Sequence, residues 1–243
     1  MTVVARRLAR SAAAYRRSPA RLPGPAVWSL DLTDPGWDLA AAAALLSGAE
    51  TERAVRGAPE VCRRRVLLRA GLRVVLGRLL GVDPARVPIG VDDGRPYLAD
   101  AGAGGIELSC SASDGVGLIA LAPGTPVGVD VQRHRDAEAR EAAGEGWLAP
   151  VEQARLAGLA PRERWPAVTR CWTQKEAVLK GLGVGLRRPP ATVITPVARS
   201  GRSGEWSLAP LGVPAGLVAS LAVRTAVAVP AVAVTQLTPG GVR

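Results

Sequence analysis

The sequence has 243 residues, of which 48% are apolar, so it is long enough to bury a hydrophobic core and is not disordered throughout. The three cysteines, Cys62, Cys110 and Cys171, lie far apart and form no CxxC pair, which argues against a disulfide framework or a zinc site and favours a reducing cytoplasm. The single histidine, His134, leaves little material for a multi-histidine metal site or a His-centred triad, and we interpret it as a solvated loop residue.

The formal charge of +10 is concentrated at the start of the chain. Residues 1–25 contain no acidic residue and six arginines, Arg6, Arg7, Arg10, Arg16, Arg17 and Arg21. We interpret this stretch as a basic, unstructured extension, because it lacks the apolar centre of a secretory signal; a transit-like peptide is the alternative. The most hydrophobic stretch, residues 216–234, is interrupted by Arg224 and Pro230, so we expect no membrane span.

The first predicted elements are a strand and two helices. Residues 26–32 are typical of a strand, and the spacing of Ser47 and Glu50 matches a capping box that opens a helix ended by Pro59. Residues 60–80 then show helical periodicity. This helix carries an arginine stripe, Arg65, Arg69 and Arg73, which we interpret as a solvated face, with an anion site as the alternative.

Short strands and then further helices follow. Residues 94–98, 106–113 and 115–121 predict β-segments, and prolines around Gly124 divide the chain into expected lobes of residues 26–124 and 125–243. The second half opens with a buried strand over residues 127–132. Pro150 opens one helix, Pro166 opens another that runs to Leu182 and stops at Gly183, and the tail from Trp206 onward is again β-like. Strand, helices and strands thus occur once on each side of residue 124.

Polar side chains of two of these elements match a magnesium site. Asp130 and Gln132 share one side of their strand, since successive side chains alternate faces. Glu176 and Lys180 lie four residues apart on one helix face. Carboxylate and amide oxygens are ligands that magnesium accepts beside substrate phosphates. Taken alone, the Glu–Lys spacing also fits an ordinary surface pair, and a single strand aspartate also fits a structural hydrogen bond.

The combination is more specific. Gly128-Val-Asp-Val-Gln132, followed by Trp172-Thr-Gln-Lys-Glu-Ala-Val-Leu-Lys180, closely resembles the paired signature of the 4'-phosphopantetheinyl transferase superfamily, in its larger two-lobed type. The resemblance spans roughly residues 26–235. It includes the region from Glu50 to Arg53, the turn Gly94-Arg-Pro96, the segment Leu108-Ser-Cys-Ser111 and the final strands around residues 216–223.

The resemblance implies a fold, a reaction and roles for individual residues. The fold is α+β, a pseudo-dimer of two similar α/β lobes with coenzyme A in the cleft between them. The reaction transfers the 4'-phosphopantetheine arm of coenzyme A to a serine of an acyl or peptidyl carrier protein, and adenosine 3',5'-bisphosphate leaves. Asp130, Gln132 and Glu176 would hold magnesium, Glu176 would accept the serine proton, and Lys180 would assist the leaving group. The implied coenzyme contacts are Arg53, Arg95, Ser109, Cys110 and Lys175.

Two positions depart from the family pattern. Gln132 stands where a carboxylate is usual, so we expect weaker magnesium binding. Cys110 stands where the family has a histidine that contacts a coenzyme phosphate. A thiol cannot supply a comparable cation, so we expect weaker coenzyme binding unless an arginine of the stripe substitutes. As a nucleophile Cys110 has no histidine near in sequence, and we interpret it as a buried small residue.

Two rival functions remain open at this point. The departures at Cys110 and Gln132 are also compatible with a catalytically silent relative that still binds coenzyme A or a carrier protein. A nucleic-acid-binding protein is the second rival, although much of the charge excess lies in residues 1–25 and no binding motif is present. For the transferase we expect a cytoplasmic monomer whose acceptor belongs to fatty-acid, polyketide or peptide assembly, the last two in secondary metabolism.

Overall fold

The computed structural model describes residues 22–92, 94–99, 105–184 and 187–242. Most of the predicted basic extension, residues 1–21, lies outside the described residues. The described part is a mixed α and β fold, which confirms the predicted α+β class. None of its helices combines the length and the apolar run needed to cross a membrane.

The described residues form six α-helices and eleven strands. The helices are α1 (Leu39–Ala43), α2 (Gly48–Ala54), α3 (Pro59–Leu80), α4 (Asp136–Ala142), α5 (Pro150–Ala157) and α6 (Pro161–Leu182). The strands are β1 (Ala26–Asp31), β2 (Ile89–Asp92), β3 (Arg95–Leu98), β4 (Ile106–Ser113), β5 (Val116–Pro123), β6 (Val127–Arg133), β7 (Gly201–Ser203), β8 (Trp206–Pro210), β9 (Leu217–Arg224), β10 (Val234–Thr238) and β11 (Gly241–Val242). Short 3-10 helices lie at Pro84–Arg86 and Pro190–Thr192.

Helix α3 covers one face of a five-stranded sheet. The strand order is β11-β10-β1-β5-β4, with β10 parallel to β1 and the other neighbours antiparallel. Apolar residues of α3, among them Leu67 and Leu76, pack with Leu30, Ile119 and Leu121 of the sheet. The hairpin of β2 and β3 forms a separate two-stranded sheet. These contacts bury the first hydrophobic core.

Helix α6 covers a second, antiparallel sheet with the order β6-β9-β8-β7. The inner face of this sheet packs on the free face of the first one, through Val129 and Val131 of β6 against Val27 and Leu118. The molecule is therefore layered as helix, sheet, sheet and helix. Strand β4 ends one sheet and β6 ends the other, and these two edge strands lie side by side.

Both long helices use the same start and stop chemistry. Pro59 and Pro161 stand at the first helical position, where the missing N–H costs nothing. Gly81 and Gly183 end the helices in the left-handed conformation, with φ of 69° and 73°. Each helix is 22 residues long, or about 33 Å at 1.5 Å per residue.

Several predicted boundaries need correction. Pro59 opens α3, whereas α2 already ends at Ala54. Helix α6 begins at Pro161 instead of Pro166, and Pro166 lies inside it. Pro166 lacks the N–H that would bond to the carbonyl of Arg162, and the loss of that one bond near the first turn does not end the helix. The short elements α1, α4 and β7 were not predicted from the sequence.

The arginine stripe is not a solvated face throughout. Arg73 is buried, and its guanidinium contacts Glu50 Oε2 at 2.8 Å through Nε and at 2.7 Å through Nη2. Its Nη1 donates to the carbonyls of Pro84, Ala85 and Val87. Glu50 also completes the predicted capping box with Ser47. Arg73 therefore ties α3 to α2 and to the chain that follows α3.

The last strands return to the first sheet. Strand β10 pairs with β1 over Val234–Leu237, and Leu237 is buried in the core below α3. The expected second lobe comprises residues 125–243. Its last two strands, within residues 234–242, nevertheless belong to the sheet that residues of the first half form.

Candidate active site

Helix α6 crosses strand β6 at two glycines. A Cβ on Gly128 would overlap the backbone of Ala177 and lie 2.7 Å from the main-chain nitrogen of Gly181. A residue without a side chain is required for this close approach. Asp130 lies two residues after Gly128 on the same side of β6, and Glu176 directly precedes Ala177 on α6. The crossing therefore fixes the position of Asp130 relative to Glu176.

Asp130, Ser111 and Lys180 form a cluster where β4, β6 and α6 meet. Asp130 is 4% exposed, and its Oδ1 lies 2.6 Å from Lys180 Nζ and 2.7 Å from Ser111 Oγ. Lys180 Nζ also donates to Ser111 Oγ at 3.0 Å. Asp130 Oδ2 is buried and has no partner among the described residues. The cluster therefore presents one carboxylate oxygen that the protein leaves unused.

Glu176 precedes Lys180 by one turn on α6 and is half-buried. Burial raises the pKa of Glu176; the ammonium of Lys180 lowers it, and the Asp130 carboxylate raises it further. Glu176 Oε1 is buried and lacks a partner in the part of the chain that the structure describes. Glu176 thus adds a second unpaired carboxylate oxygen beside the cluster.

The two unpaired oxygens fit a hard divalent cation. Buried carboxylate oxygens without partners are unfavourable, and an oxygen-seeking ion such as magnesium would satisfy both. Gln132 lies on the same side of β6 as Asp130, is exposed, and offers a neutral oxygen. No group of three or more His, Cys, Asp or Glu side chains is arranged for a metal among the described residues. The donor set is accordingly two carboxylates with at most one amide.

A cavity of about 550 Å³ adjoins this cluster. We call it the arginine cavity; it is lined by Arg53, Arg65 and Arg69, together with Glu50 and Cys110. The ammonium of Lys180 acts electrostatically on the Cys110 thiol, so the cluster lies near the wall of the cavity that contains Cys110. The buried Arg73 of α3 already neutralises the charge of Glu50. The cavity therefore keeps an excess of positive charge, which suits phosphate groups.

Arg69 is the arginine of the cavity that has a buried nitrogen without a partner among the described residues. Its side chain is 17% exposed, its Nε lies 3.5 Å from Glu50 Oε1, and its Nη1 is buried without a partner among the described residues. Burial lowers the pKa of Arg69, and Cys110 and Glu50 oppose that effect. Arg65 instead donates to the carbonyls of Arg53 and Arg56 at the end of α2.

Cys110 faces this cavity as a neutral thiol. Burial raises the pKa of Cys110 to about 11, although the nearby charges of Arg69 and Lys180 act in the opposite direction. A thiol with that pKa is protonated near neutral pH and is a poor nucleophile. The geometry therefore agrees with its interpretation as a small, inert residue.

Arg95 lies in a neighbouring cavity of about 470 Å³, which we call the hairpin cavity because the β2–β3 hairpin forms much of its wall. Arg95 Nη2 is 3.7 Å from Glu107 Oε2, and the guanidinium lies directly over Gly183, where a Cβ would overlap it. Val91 and Pro96 line both cavities, so Arg95 is adjacent to the arginine cavity but outside its lining.

Ser109 faces the second sheet. Its Oγ accepts the main-chain N–H of Val129 at 3.1 Å, and the residue is buried. It lies outside the lining of the arginine cavity and the hairpin cavity. The observed role of Ser109 is thus to join the edge strands β4 and β6, which replaces the expectation of a direct coenzyme contact.

Lys175 does not reach either cavity. It is 0% exposed, and its Nζ lies 2.7 Å from Glu152 Oε2 while donating to the carbonyls of Pro190 at 3.0 Å and Val193 at 2.5 Å. An ammonium has three N–H donors, and all three are used. The expectation that Lys175 binds a coenzyme phosphate is therefore corrected: Lys175 is a structural residue that joins α6 to α5 and to the loop around Val193.

Gln132 lines a third cavity of about 220 Å³, the tryptophan cavity, with Trp147 and Trp172 in its wall. The two indole rings pack edge to face with centroids 5.0 Å apart. Trp172 lies one turn before Glu176 on α6. The tryptophan cavity therefore lies on the side of Gln132, whereas the arginine cavity lies on the side of Cys110.

His134 is not a solvated loop residue, as the sequence suggested. One ring nitrogen lies 2.8 Å from Thr169 Oγ1 of α6, and the other lies 2.9 Å from Asp136 Oδ1 at the start of α4. The side chain is largely buried. His134 thus connects α4 to α6 beside the tryptophan cavity.

Sequence reasoning missed Ser111 and Glu152 and left Arg69 in an undivided stripe. Ser111 carried a signal, since it ends the Leu108–Ser111 segment that resembled the family. Glu152 carried none, because its partner lies on a helix that only the fold brings near.

Comparison with known proteins gives a consistent result. Residues 126–207 match the model of the 4'-phosphopantetheinyl transferase superfamily. The chain is 32% identical over 204 residues to the 4'-phosphopantetheinyl transferase HetI of Nostoc sp., covering 81% of this chain and 86% of that protein. It is 31% identical over 171 residues to slr0495 of Synechocystis sp., which carries a provisional 4'-phosphopantetheinyl transferase name, covering 68% and 67% of the two chains.

Proposed function

Since the chain belongs to the 4'-phosphopantetheinyl transferase superfamily and is a transferase, we propose that it moves the 4'-phosphopantetheine arm of coenzyme A to a serine of an acyl or peptidyl carrier protein. The observation that carries this proposal is the ion pair of Asp130 and Lys180 beside Glu176, with two unpaired carboxylate oxygens, next to a cavity rich in arginine. Phosphoryl transfer needs this combination of base, cation and phosphate-binding charge.

We place the nucleotide half of coenzyme A in the arginine cavity. Arg53 is exposed at its rim and Arg69 offers a buried, unpaired N–H inside it, so both can donate to phosphate oxygens. Arg95 of the hairpin cavity would hold a further phosphate from the adjoining side. Arg69 supplies a cation beside the neutral thiol of Cys110, which compensates for the histidine that the family pattern has there.

The cleft belongs to a two-lobed arrangement. Each half contributes a 22-residue helix that opens with proline, ends in a left-handed glycine and covers one sheet, which supports a pseudo-dimer of similar lobes. The cluster draws Ser111 from one sheet edge and Asp130 from the other. Coenzyme A would therefore lie across the junction of the lobes within a single chain, so we expect a monomer.

Asp130 and Glu176, with Gln132 as a weaker third ligand, would hold the magnesium ion. When bound, the ion would neutralise negative charge on the coenzyme pyrophosphate. Gln132 brings no charge to this site, so binding of the ion should require more magnesium than with a third carboxylate.

The chain's own residues then account for the proton and the leaving group. Glu176 accepts the hydroxyl proton of the acceptor serine, whose oxygen bonds to the phosphorus that carries the pantetheine arm. The bond from that phosphorus to the bridging oxygen breaks, and adenosine 3',5'-bisphosphate leaves with the electron pair. Lys180 lies one turn away and stabilises or protonates the departing oxygen. Both groups lie on one helix face, which sets their mutual orientation.

Intact-mass spectrometry of apo acyl and peptidyl carrier proteins tests the proposal. With coenzyme A and increasing magnesium, the carrier should gain the mass of one phosphopantetheine. Glu176→Gln keeps the size of the side chain and removes the base, and should slow transfer by at least about 100-fold. A Glu176→Gln variant that transfers at the wild-type rate would remove the assigned mechanism.

A silent binding relative is the second candidate, and the observations that favour it are Gln132 and Cys110 at their positions. It predicts that calorimetry detects coenzyme A binding while no carrier gains mass at any magnesium concentration.

All three cysteines are free thiols, which supports the assignment to a reducing cytoplasm.

A further inference from the structure

Three serines of β4 bridge the two sheets in the same way. The hydroxyls of Ser109, Ser111 and Ser113 accept the main-chain N–H groups of Val129, Val131 and Arg133 at 3.1, 3.3 and 3.1 Å. These N–H groups belong to the edge of β6 that pairs with no strand, and the hydroxyls satisfy them in place of a neighbouring strand. The three serines are equivalent in this bridging role.

Ser111 differs from the other two because it also contacts the cluster. Its Oγ lies 2.7 Å from Asp130 Oδ1 and 3.0 Å from Lys180 Nζ. An ammonium and a backbone N–H can only donate, so the hydroxyl accepts from Lys180 and from Val131 and gives its single proton to Asp130. The hydroxyl is thereby fully used and has a fixed direction.

This direction makes the Asp130 carboxylate asymmetric. Oδ1 receives two hydrogen bonds, from Ser111 and Lys180, while Oδ2 is buried and unpaired among the described residues. The terminal torsion of an aspartate is broad, so a carboxylate held by Lys180 alone could adopt a range of orientations about its last bond. Anchored on the backbone of Val131, Ser111 removes that freedom.

We propose that Ser111 is a positioning residue that orients the Asp130 carboxylate, with Oδ1 bound by the protein and Oδ2 presented to a divalent cation. The proposal rests on the proposed function for the presence of the cation. Ser111 itself contacts neither the reacting phosphorus nor the ion. It acts through Asp130, as hydrogen-bonding partners of metal ligands do in other metal sites.

The affinity of the full chain for Mn²⁺ tests this role without relying on catalysis. Electron paramagnetic resonance measures this affinity from the signal of the free ion. Ser111→Ala should weaken Mn²⁺ binding by about tenfold or more. Ser113→Ala is the matched control, since it loses the same kind of bridge to β6 and should bind Mn²⁺ like the wild type. Ser111→Thr keeps the hydroxyl and should restore binding, and thermal denaturation verifies that each variant is folded.

The outcomes separate this proposal from the proposed function. Wild-type Mn²⁺ affinity in Ser111→Ala, equal losses in Ser111→Ala and Ser113→Ala, or no Mn²⁺ binding by the wild type would each overturn the positioning role. The expected pattern in Mn²⁺ binding, without mass gain on any carrier protein, would support the positioning role while the proposed transfer failed. A mass gain with unchanged Mn²⁺ affinity in Ser111→Ala would leave the transfer standing and remove the role of Ser111.

Discussion

At the scale of single residues, Arg69 and Cys110 show how charge is distributed in the arginine cavity. The guanidinium of Arg69 is near enough to oppose the rise in the pKa of Cys110, yet burial dominates and the thiol stays neutral. Arginine keeps its charge at any pH that a protein tolerates. A phosphate in the cavity would thus meet a cation whose charge does not depend on pH near neutrality.

We predict that Arg69→Gln weakens coenzyme A binding by about tenfold or more, because a charge-assisted hydrogen bond is worth about 1.5–3 kcal/mol. Titration calorimetry with coenzyme A measures the change. Arg64→Gln is the control, since Arg64 is exposed on the same helix and lies outside the cavity lining. Equal affinity of the two variants would exclude Arg69 from the coenzyme site.

The thiols give a second prediction, concerning pH. With a pKa of about 11, Cys110 is about 0.1% thiolate at pH 8, so iodoacetamide should modify Cys110 slowly, although Cys110 and Cys62 are both partly exposed. The alkylation rate of Cys110 should then rise about tenfold per pH unit until the pH approaches 11. Peptide mass mapping at several pH values follows both residues. Rapid alkylation of Cys110 at pH 7 would contradict the neutral thiol.

The placement of residues could be predicted where one element carries the pattern. Asp130 on its strand, and Glu176 with Lys180 on one helix face, follow from spacing, and the structure brings them together. Lys175 was assigned wrongly because its partner Glu152 comes from another helix, and spacing carries no information on that pairing.

At the scale of elements, the adjacent charged residues Lys175 and Glu176 of α6 face different parts of the molecule. Lys175 points to Glu152 on the buried side, whereas the next residue, Glu176, faces β6. Most of the longer strands, both long helices and the Gly183 stop were predictable from periodicity and turn chemistry, whereas the short strands β2 and β7 were not. The true start of α6 was not, because Pro161 and Pro166 carry the same local signal and only packing of the first turn decides between them.

The buried pair gives a prediction for α6. Lys175→Met should lower the free energy of unfolding by about 3–5 kcal/mol, since it leaves the Glu152 carboxylate buried without its ammonium partner. Urea denaturation measures the loss. The double variant Lys175→Met with Glu152→Gln removes both charges and should recover part of it. Coenzyme A affinity of the folded protein should stay unchanged, and a large loss of affinity would restore Lys175 as a phosphate ligand.

At the scale of the whole molecule, the two halves are interlocked. The serines of β4 satisfy the edge of β6, and β10 crosses back from the second half to pair with β1. The turn at Gly124 between β5 and β6 could be predicted from its prolines and glycine. The return of β10 could not, since strand pairing across the whole chain leaves no local signal. The cluster of Asp130, Ser111 and Lys180 lies at the serine-bridged junction, so its geometry depends on both sheets.

This interlocking predicts that a core residue of β10 stabilises the half that contains α3. Leu237 is 2% exposed and packs with the α3 core, so Leu237→Ala should cost about 2–5 kcal/mol of unfolding free energy. Val227→Ala is the control, because Val227 is 70% exposed and its truncation should be nearly neutral. Hydrogen exchange of the Leu237→Ala variant should show the largest loss of protection in β1 and α3. Loss confined to β8 and β9 would mean that the C-terminal strands stabilise the second sheet instead, and that the two halves are separate along the chain.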